Sequence, residues 1–267
     1  MPEGHTLHRL ARLHQRRFVG RPVQVSSPQG RFVTGADLVD GRILVRAQAY
    51  GKHLLHHYGP DTVVHVHLGL YGKFEMHELP VDAPRGQVRM RMVGDTHWTD
   101  LRGATTCEVI TDGEVDTLLA RLGPDPLRRG ADPDPAWSRI AKSRVVIGAL
   151  LMDQRVLAGV GNVYRAEVLF RNRIGPHRSG RDLDRAEWDA VWADLVGLMA
   201  VGLRRGRIVT VDPEHDHGPR PGRGGRAGGR SYVYRRAGLP CRVCATPVRT
   251  EVMVGRNLFW CPTCQPD

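Results

Sequence analysis

The spacing of apolar residues changes along the chain. Near the start, apolar residues recur at helical spacing and stop at a glycine: Leu7, Leu10, Leu13, Phe18 and Gly20. This spacing predicts a first helix with one buried face. From about 21 to 112, short β-rich runs are punctuated by Gly, Pro and Asp, which is typical of an antiparallel sandwich or barrel. Residues 88–92 alternate between apolar and Arg positions, which predicts one dry face and one wet face.

The second part of the chain is predicted to be helical. Residues 123–135 hold four prolines and two glycines, which indicates a linker. The helical runs that follow are 137–142, 145–153, 163–171 and 185–203. Residues 212–230 are almost without apolar side chains, so we expect a mobile, cationic loop there. The expected domains are 1–122, the linker 123–135, a helical domain 136–230 with its loop, and 231–267.

Charge narrows the range of partners. The formal net charge of +11 and a pI near 10.1 point to nucleic acid first and to a membrane surface second. The longest apolar run, 145–152, is far shorter than the ~20 residues that span a bilayer. His and Arg residues interrupt the N-terminal region, so no signal-peptide core is present. We expect a soluble, cytoplasmic and nucleoid-associated protein that is not secreted.

The cysteines give the most specific pattern. Cys241-x2-Cys244 and Cys261-x2-Cys264 are separated by sixteen residues, a spacing that lets four thiolates bind one Zn²⁺. Four sulfur ligands leave no open coordination position, so the ion is expected to be structural. Arg256 lies near the tip of the intervening hairpin and either clamps a phosphate or is simply solvated. The fifth cysteine, Cys107, is predicted to be a small core residue.

The N-terminus carries candidate chemistry. Once Met1 is removed, Pro2 exposes a secondary amine whose pKa is near ~8, so part of it is neutral and nucleophilic at pH 7. Glu3 is then a neighbouring proton donor. The alternative is that Pro2 begins a helix and Glu3 favours its dipole, without chemistry.

Three further motifs each have a structural and a functional interpretation. In RVLAGVGNVYRAEVLF (155–170), the glycines make a bend and Asn162 caps the next helix. This turn either binds a phosphate at the start of the helix or is part of an ordinary helical hairpin. In AYGKHLLHHY (49–58), Lys52 begins a strand and is either functional or a surface residue. In HLGLYGKF (67–74), Leu70 and Tyr71 occupy a turn, where they are either exposed for function or packed into the core.

Taken together, the motifs resemble one family, the formamidopyrimidine-DNA glycosylase/endonuclease VIII DNA-repair enzymes. The match runs in order through PEG, YGKHLL, HLGLYG, LGPDPL (122–127), LAGVGNVYRAEVLF and GRNLFWC. The resemblance implies an α+β fold, with an N-terminal antiparallel β-sandwich domain flanked by helices. It implies a C-terminal helical domain with a helix–two-turn–helix element at about 145–171 and a four-cysteine zinc-ribbon β-hairpin. Damaged DNA, duplex or single-stranded, would lie in a basic cleft between the domains, and the protein would act as a monomer.

The resemblance also implies the chemistry of base excision repair. Pro2 would attack C1′ of a flipped nucleotide, release an oxidised base as a DNA glycosylase, and then cut the strand by β,δ-elimination as an abasic-site lyase. Glu3 would shuttle protons, and Lys52 would hold a phosphate and help to keep the amine neutral. Asn162 and Arg256 would pinch the DNA backbone. The remaining expected DNA contacts are His67, Leu70, Tyr71, Arg102 and Tyr234.

Some residues depart from the family pattern. Thr6 stands where many relatives carry a second glutamate. Leu70 and Tyr71 look like the endonuclease VIII wedge, and Arg102 is followed by Gly103 and Ala104 rather than by an aromatic residue. We therefore expect a preference for oxidised pyrimidines. The alternatives are a lesion-binding protein on the same fold with little turnover, and an unrelated zinc-ribbon nucleic-acid protein.

Overall fold

The chain divides into two compact units. The computed structural model describes residues 2–216 and 231–266. Unit 1 is Met1–Arg121 and unit 2 is Leu122–Asp267. The proline-rich segment 123–135 falls in unit 2. Residues 217–230, most of the predicted cationic loop, lie outside the described residues.

Unit 1 begins with the helix that the leucine spacing predicts. Helix α1 (Gly4–Arg17) buries Leu7 and Ala11, and Phe18 extends the same apolar cluster. Two shorter helices, α2 (Val33–Val39) and α3 (Asp112–Ala120), were not predicted. Helix α3 begins at a capping box in which Thr111 accepts from the Glu114 N–H and Glu114 accepts from the Thr111 N–H.

Two antiparallel four-stranded sheets form the body of unit 1. Their orders are β1-β6-β7-β5 and β2-β3-β4-β8. The strands are β1 (Gln24–Ser26), β2 (Arg46–Tyr50), β3 (His53–His57), β4 (Val63–His67), β5 (Lys73–Glu78), β6 (Val88–Val93), β7 (His97–Arg102) and β8 (Thr106–Ile110). Leu54 and Val66 of one sheet share an apolar cluster with Met90 and Leu101 of the other. The predicted antiparallel β architecture is confirmed.

The prediction of a wet face on β6 is wrong for Arg91. Its side chain is buried because the guanidinium makes two hydrogen bonds to Asp100, at 2.7 and 2.8 Å. The same guanidinium lies 4.5 Å from the centroid of the Trp98 ring. A bidentate carboxylate partner offsets the desolvation that a buried Arg otherwise suffers. Cys107 is a buried core residue, as predicted.

Unit 2 combines helices with a zinc-ribbon hairpin. Its helices are α4 (Asp134–Ile140), α5 (Ile147–Leu150), α6 (Asn162–Arg171) and α7 (Arg185–Arg205), and its strands are β9 (Arg249–Met253) and β10 (Arg256–Trp260). The run 145–153 was predicted as one helix, but only α5 is helical. After α5 the chain turns through hydrogen bonds between residues three positions apart, such as the one from the Asp153 N–H to the Leu150 carbonyl. Leu157, which follows these turns, is buried. Among residues 2–216 and 231–266, no helix has the length and hydropathy that crossing a bilayer requires.

Candidate active site and DNA-binding residues

An open pocket of ≈ 380 Å³ surrounds the N-terminal proline of unit 1. Pro2, Thr6 and Leu10 line the pocket together with six residues of the stretch 68–74, among them Lys73. Glu3 is fully buried and lies at the N-cap of α1 in an extended conformation. The helix therefore fixes the backbone on which Pro2 stands, while Pro2 itself remains half-buried at the pocket wall.

The turn between β4 and β5 presents two apolar side chains to solvent. Leu70 is 41% exposed and Tyr71 is 84% exposed. The turn depends on its glycines: Gly69 has a φ of +65°, and a Cβ on Gly72 would lie 2.2 Å from the Leu68 carbonyl oxygen. Exposed aromatic residues at a pocket mouth are unusual in a purely structural hairpin, because burial would stabilise them. Both side chains are therefore exposed and not packed into the core, and their functional role stays a prediction.

Lys52 and His67 lie close together at one end of the sheet that contains β3 and β4. Lys52 is in the turn before β3, and His67 ends β4. Burial lowers the pKa of His67, and the positive charge of Lys52 lowers it further. The Gly69 N–H donates to His67 Nδ1 at 3.1 Å, so the proton of the neutral ring is on Nε2. Lys52 and His67 together can offer a cation and a neutral donor to one phosphate.

Arg102, an expected DNA contact, is held by acidic residues of its own sheet. Its guanidinium donates to Asp100 Oδ2 at 2.8 Å and to Glu75 Oε2 at 2.5 Å. Glu75 also accepts from Lys73 Nζ at 2.7 Å, and this hydrogen bond is the main reason that the Glu75 pKa is lowered. The Arg102 side chain is 22% exposed. Any contact of Arg102 with a phosphate therefore begins from an existing ion pair.

In unit 2, Asn162 and Arg256 are brought to the same place. The Asn162 side-chain amide donates to the backbone carbonyl of Asn257, next to Arg256, at 2.9 Å. Arg165 donates to the Asn162 side-chain oxygen and to the Gly148 carbonyl, which fixes the amide. The prediction that Asn162 caps α6 is wrong: Gly161 is the N-cap and Asn162 is the first helical residue. Its side chain ties the helix to the hairpin instead, and Arg256 is exposed.

Tyr234 is positioned through a buried carboxylate that the sequence reading missed. Glu167 of α6 is fully buried and accepts from the backbone N–H groups of Tyr232, Val233 and Tyr234 at 2.6, 2.9 and 2.8 Å. The Thr210 hydroxyl is a fourth donor. The Tyr234 ring packs edge-on against Phe259 with centroids 5.4 Å apart. The sequence did carry a signal for this set of four hydrogen bonds, which we call the Glu167 cage, because Glu167 falls on the apolar side of α6.

The four cysteines of unit 2 converge. Their sulfur atoms all lie within 4.8 Å of one another, with Cys241–Cys264 at 3.9 Å and Cys244–Cys261 at 3.4 Å. A tetrahedral Zn²⁺ with Zn–S bonds of ~2.3 Å requires sulfurs about 3.8 Å apart, so the donor set fits the ion. The zinc would hold the hairpin that carries Arg256, with no open position for chemistry. The predicted single structural zinc site is confirmed.

Comparison with known proteins covers nearly the whole chain. Residues 1–107 match the family model "Formamidopyrimidine-DNA glycosylase N-terminal domain", and 122–213 match "Formamidopyrimidine-DNA glycosylase H2TH domain". Residues 238–266 match "Zinc finger found in FPG and IleRS". The match at 122–213 contains the predicted helix–two-turn–helix element. These matches define the class of the protein as a DNA-glycosylase fold with a zinc finger.

Individual relatives agree with this class. Endonuclease 8 1 of Mycobacterium tuberculosis is 64% identical over 275 residues, covering 99% of this chain and 100% of that protein. Formamidopyrimidine-DNA glycosylase of Thermus thermophilus is 32% identical over 236 residues, covering 86% and 85%. The structure of the Lactococcus lactis glycosylase bound to abasic-site DNA superposes with a TM-score of 0.81 at 22% identity, covering 99% and 100%. The chain belongs to the formamidopyrimidine-DNA glycosylase/endonuclease VIII family.

Proposed function

We propose that the protein is a bifunctional DNA glycosylase and abasic-site lyase of base excision repair that removes oxidised bases. One observation carries this proposal: Pro2 lines an open pocket that the exposed Leu70 and Tyr71 line as well. An apolar wedge fills the space left by an extruded nucleotide, and a nucleophile at the same pocket can attack the sugar of that nucleotide. Family membership supports the same activity, since the relatives are named as endonuclease 8 and formamidopyrimidine-DNA glycosylase.

The first step is to take the damaged nucleotide out of the helix. C1′ cannot be reached inside a stacked duplex, so the nucleotide must be flipped into the pocket. Leu70 and Tyr71 fill the space that the flipped base leaves, which offsets part of the lost stacking. Lys52 and His67 hold a backbone phosphate in unit 1, and Asn162, Arg256 and Tyr234 bind the backbone in unit 2. Such contacts position DNA without reading its sequence.

The chemical steps use the amine of Pro2 after removal of Met1. The neutral nitrogen forms a bond to C1′ as the bond to the base breaks, the bonding electron pair leaves with the base, and the N–H proton of the amine is transferred to the departing base. Glu3 gives a proton to the opening sugar ring, which yields an iminium ion with a permanent positive charge. Glu3 then removes a proton from C2′, and the electron pair expels the 3′ phosphate. In a second elimination, a proton is lost from C4′ to solvent, and its electron pair expels the 5′ phosphate.

The preferred lesion follows from the wedge. Leu70 and Tyr71 resemble the endonuclease VIII wedge, and no bulky aromatic residue follows Arg102. We therefore propose oxidised pyrimidines as the favoured substrates. A cleavage panel of duplex and single-stranded oligonucleotides, each with one defined oxidised base, measures this preference directly.

Borohydride trapping tests the mechanism. The purified protein is mixed with abasic-site duplex and sodium borohydride, which reduces an iminium to a stable crosslink. We expect a covalent band, Met1 absent from the mass spectrum, and no band when one residue is inserted before Pro2. A protein that binds DNA without crosslinking is a lesion sensor, and one whose activity survives the insertion does not use Pro2. Either result contradicts the proposal.

A further inference from the structure

Three adjacent strands of unit 1 carry a line of polar side chains that the proposed mechanism does not use. Strands β3, β4 and β8 are neighbours, with His53 opposite His67 and His65 opposite Glu108. His53 Nδ1 lies 2.9 Å from His65 Nε2, and His65 Nδ1 lies 3.0 Å from Glu108 Oε1. The His65 side chain is 8% exposed and that of Glu108 is 53% exposed. We call Glu108, His65 and His53 the relay.

Hydrogen-bond chemistry fixes the direction of the relay. A carboxylate only accepts, so His65 must carry its proton on Nδ1. When an imidazole carries a single proton on Nδ1, its Nε2 accepts, so in this arrangement His53 donates from Nδ1. His53 Nε2 then carries a lone pair instead of a proton. One surface carboxylate therefore determines the tautomer of an imidazole two strands away.

The inner end of the relay is next to the expected phosphate contacts. The His53 and His67 rings have centroids 5.1 Å apart, and Lys52 directly precedes His53. Burial is the main reason that the pKa of His53 is lowered to about 3, and the charges of Lys52 and Arg121 lower it further. His53 is therefore neutral at physiological pH and lies near the permanent positive charges of Lys52 and Arg121. A ring lone pair near the charge of Lys52 stabilises that charge, whereas an N–H in its place destabilises it.

We infer that Glu108, His65 and His53 are positioning residues for the phosphate contact made by Lys52 and His67. The relay holds His53 in the tautomer that favours the charge of Lys52, while the Gly69 N–H holds His67 in the tautomer that offers Nε2–H. The inference rests on the proposed function, because it assigns these residues to the phosphate contact in unit 1. It adds three residues that do not touch the reacting atoms.

Replacement of Glu108 tests the relay against simple electrostatics. Removing a carboxylate from a DNA-binding protein ordinarily strengthens binding, because repulsion of phosphate is lost. If the relay acts, Glu108→Ala instead weakens binding of a duplex with an abasic-site analogue. We expect the Kd to rise roughly tenfold, which corresponds to about 1.4 kcal/mol of binding free energy. Glu108→Gln keeps an oxygen that accepts from His65 and is expected to bind like the wild type. Asp116→Ala removes one exposed carboxylate of α3 and serves as the matched charge control.

A second measurement reads the tautomer itself. Nitrogen-15 NMR of labelled histidine reports which ring nitrogen of His53 carries the proton, in the full-length protein without DNA. We expect the proton on Nδ1 in the wild type and in Glu108→Gln, and a mixture in Glu108→Ala. A proton on Nε2 in the wild type, or equal affinities for Glu108→Ala and Asp116→Ala, overturns the inference. If the wild type fails borohydride trapping, the lyase proposal fails, and the NMR and binding measurements still decide on the relay.

Discussion

Replacing Glu167 by glutamine is expected to release residues 232–234 from helix α6. The carboxylate accepts three backbone N–H groups and one hydroxyl, and it is fully buried. A glutamine has one accepting oxygen, which can keep the N–H groups of Val233 and Tyr234. Its NH2 group then faces the N–H of Tyr232, and two donors cannot bond to each other.

The expected loss follows from these contacts. One buried N–H without a partner costs about 1–3 kcal/mol, and loss of the negative charge weakens the two remaining bonds by about 1 kcal/mol each. The sum is about 3–5 kcal/mol. Because each 1.4 kcal/mol is tenfold, the amides of 232–234 should exchange with deuterium at least about a hundred times faster.

Hydrogen–deuterium exchange with mass spectrometry measures this effect, with Glu214→Gln as the control. The Glu214 side chain is 77% exposed, so the control makes the same chemical change at a residue outside the Glu167 cage. Exchange of 232–234 in Glu167→Gln that matches the control would refute the reasoning, because it would mean that the carboxylate does not hold the segment. Tyr234, one of the expected DNA contacts, should lose its fixed position in the same variant.

The remaining predictions concern the wedge, the buried ion pair, pH and the metal. Tyr71→Ala should leave the melting temperature unchanged while lowering base excision more than cleavage of a preformed abasic site, as paired cleavage assays measure. Asp100→Asn, which leaves Arg91 buried beside a neutral amide, should cost about 3–5 kcal/mol in urea unfolding; a loss below 1 kcal/mol contradicts this. Burial lowers the pKa of His14 to about 3 and that of His56 well below its usual value. The unfolded state therefore binds more protons than the folded state below pH ~6.5. The free energy of unfolding should fall between pH 7 and pH 5, by up to about 1.4 kcal/mol per pH unit for each histidine. Urea unfolding curves that coincide at the two pH values would contradict this prediction. Removal of zinc by a chelator should abolish DNA binding by the hairpin. The melting temperature of unit 1, measured by circular dichroism, should stay unchanged.

Much of the fold was predictable because it repeats simple patterns. The leucine spacing of α1, the β-rich runs and the cysteine spacing each depend on residues close in sequence. Helix α2 was missed because its residues, VTGADLV, carry a glycine and β-branched residues that disfavour a helix. Helix α3 did carry a readable signal, the capping box of Thr111 and Glu114.

The polar interior was not predictable in the same way. Arg91 reads as a solvent-facing residue until Asp100, on the next strand, is known to face it. The relay likewise joins three strands, and Glu167 accepts from residues more than sixty positions away in sequence. A buried charge depends on a partner that only the tertiary structure supplies, so local pattern cannot report it.

The carboxylate of Glu75 has a consequence for how the protein should respond to ionic strength. The Glu75 carboxylate accepts hydrogen bonds from both Lys73 and Arg102. Arg102 also donates to Asp100. A phosphate that reaches either cation displaces a resident acid rather than a layer of water, and the displaced acid stays behind as a nearby repulsive charge. Such an exchange changes the number of released ions less than binding to an unpaired cation does. The excess of basic residues in the composition therefore overstates how steeply affinity should decline as salt is added.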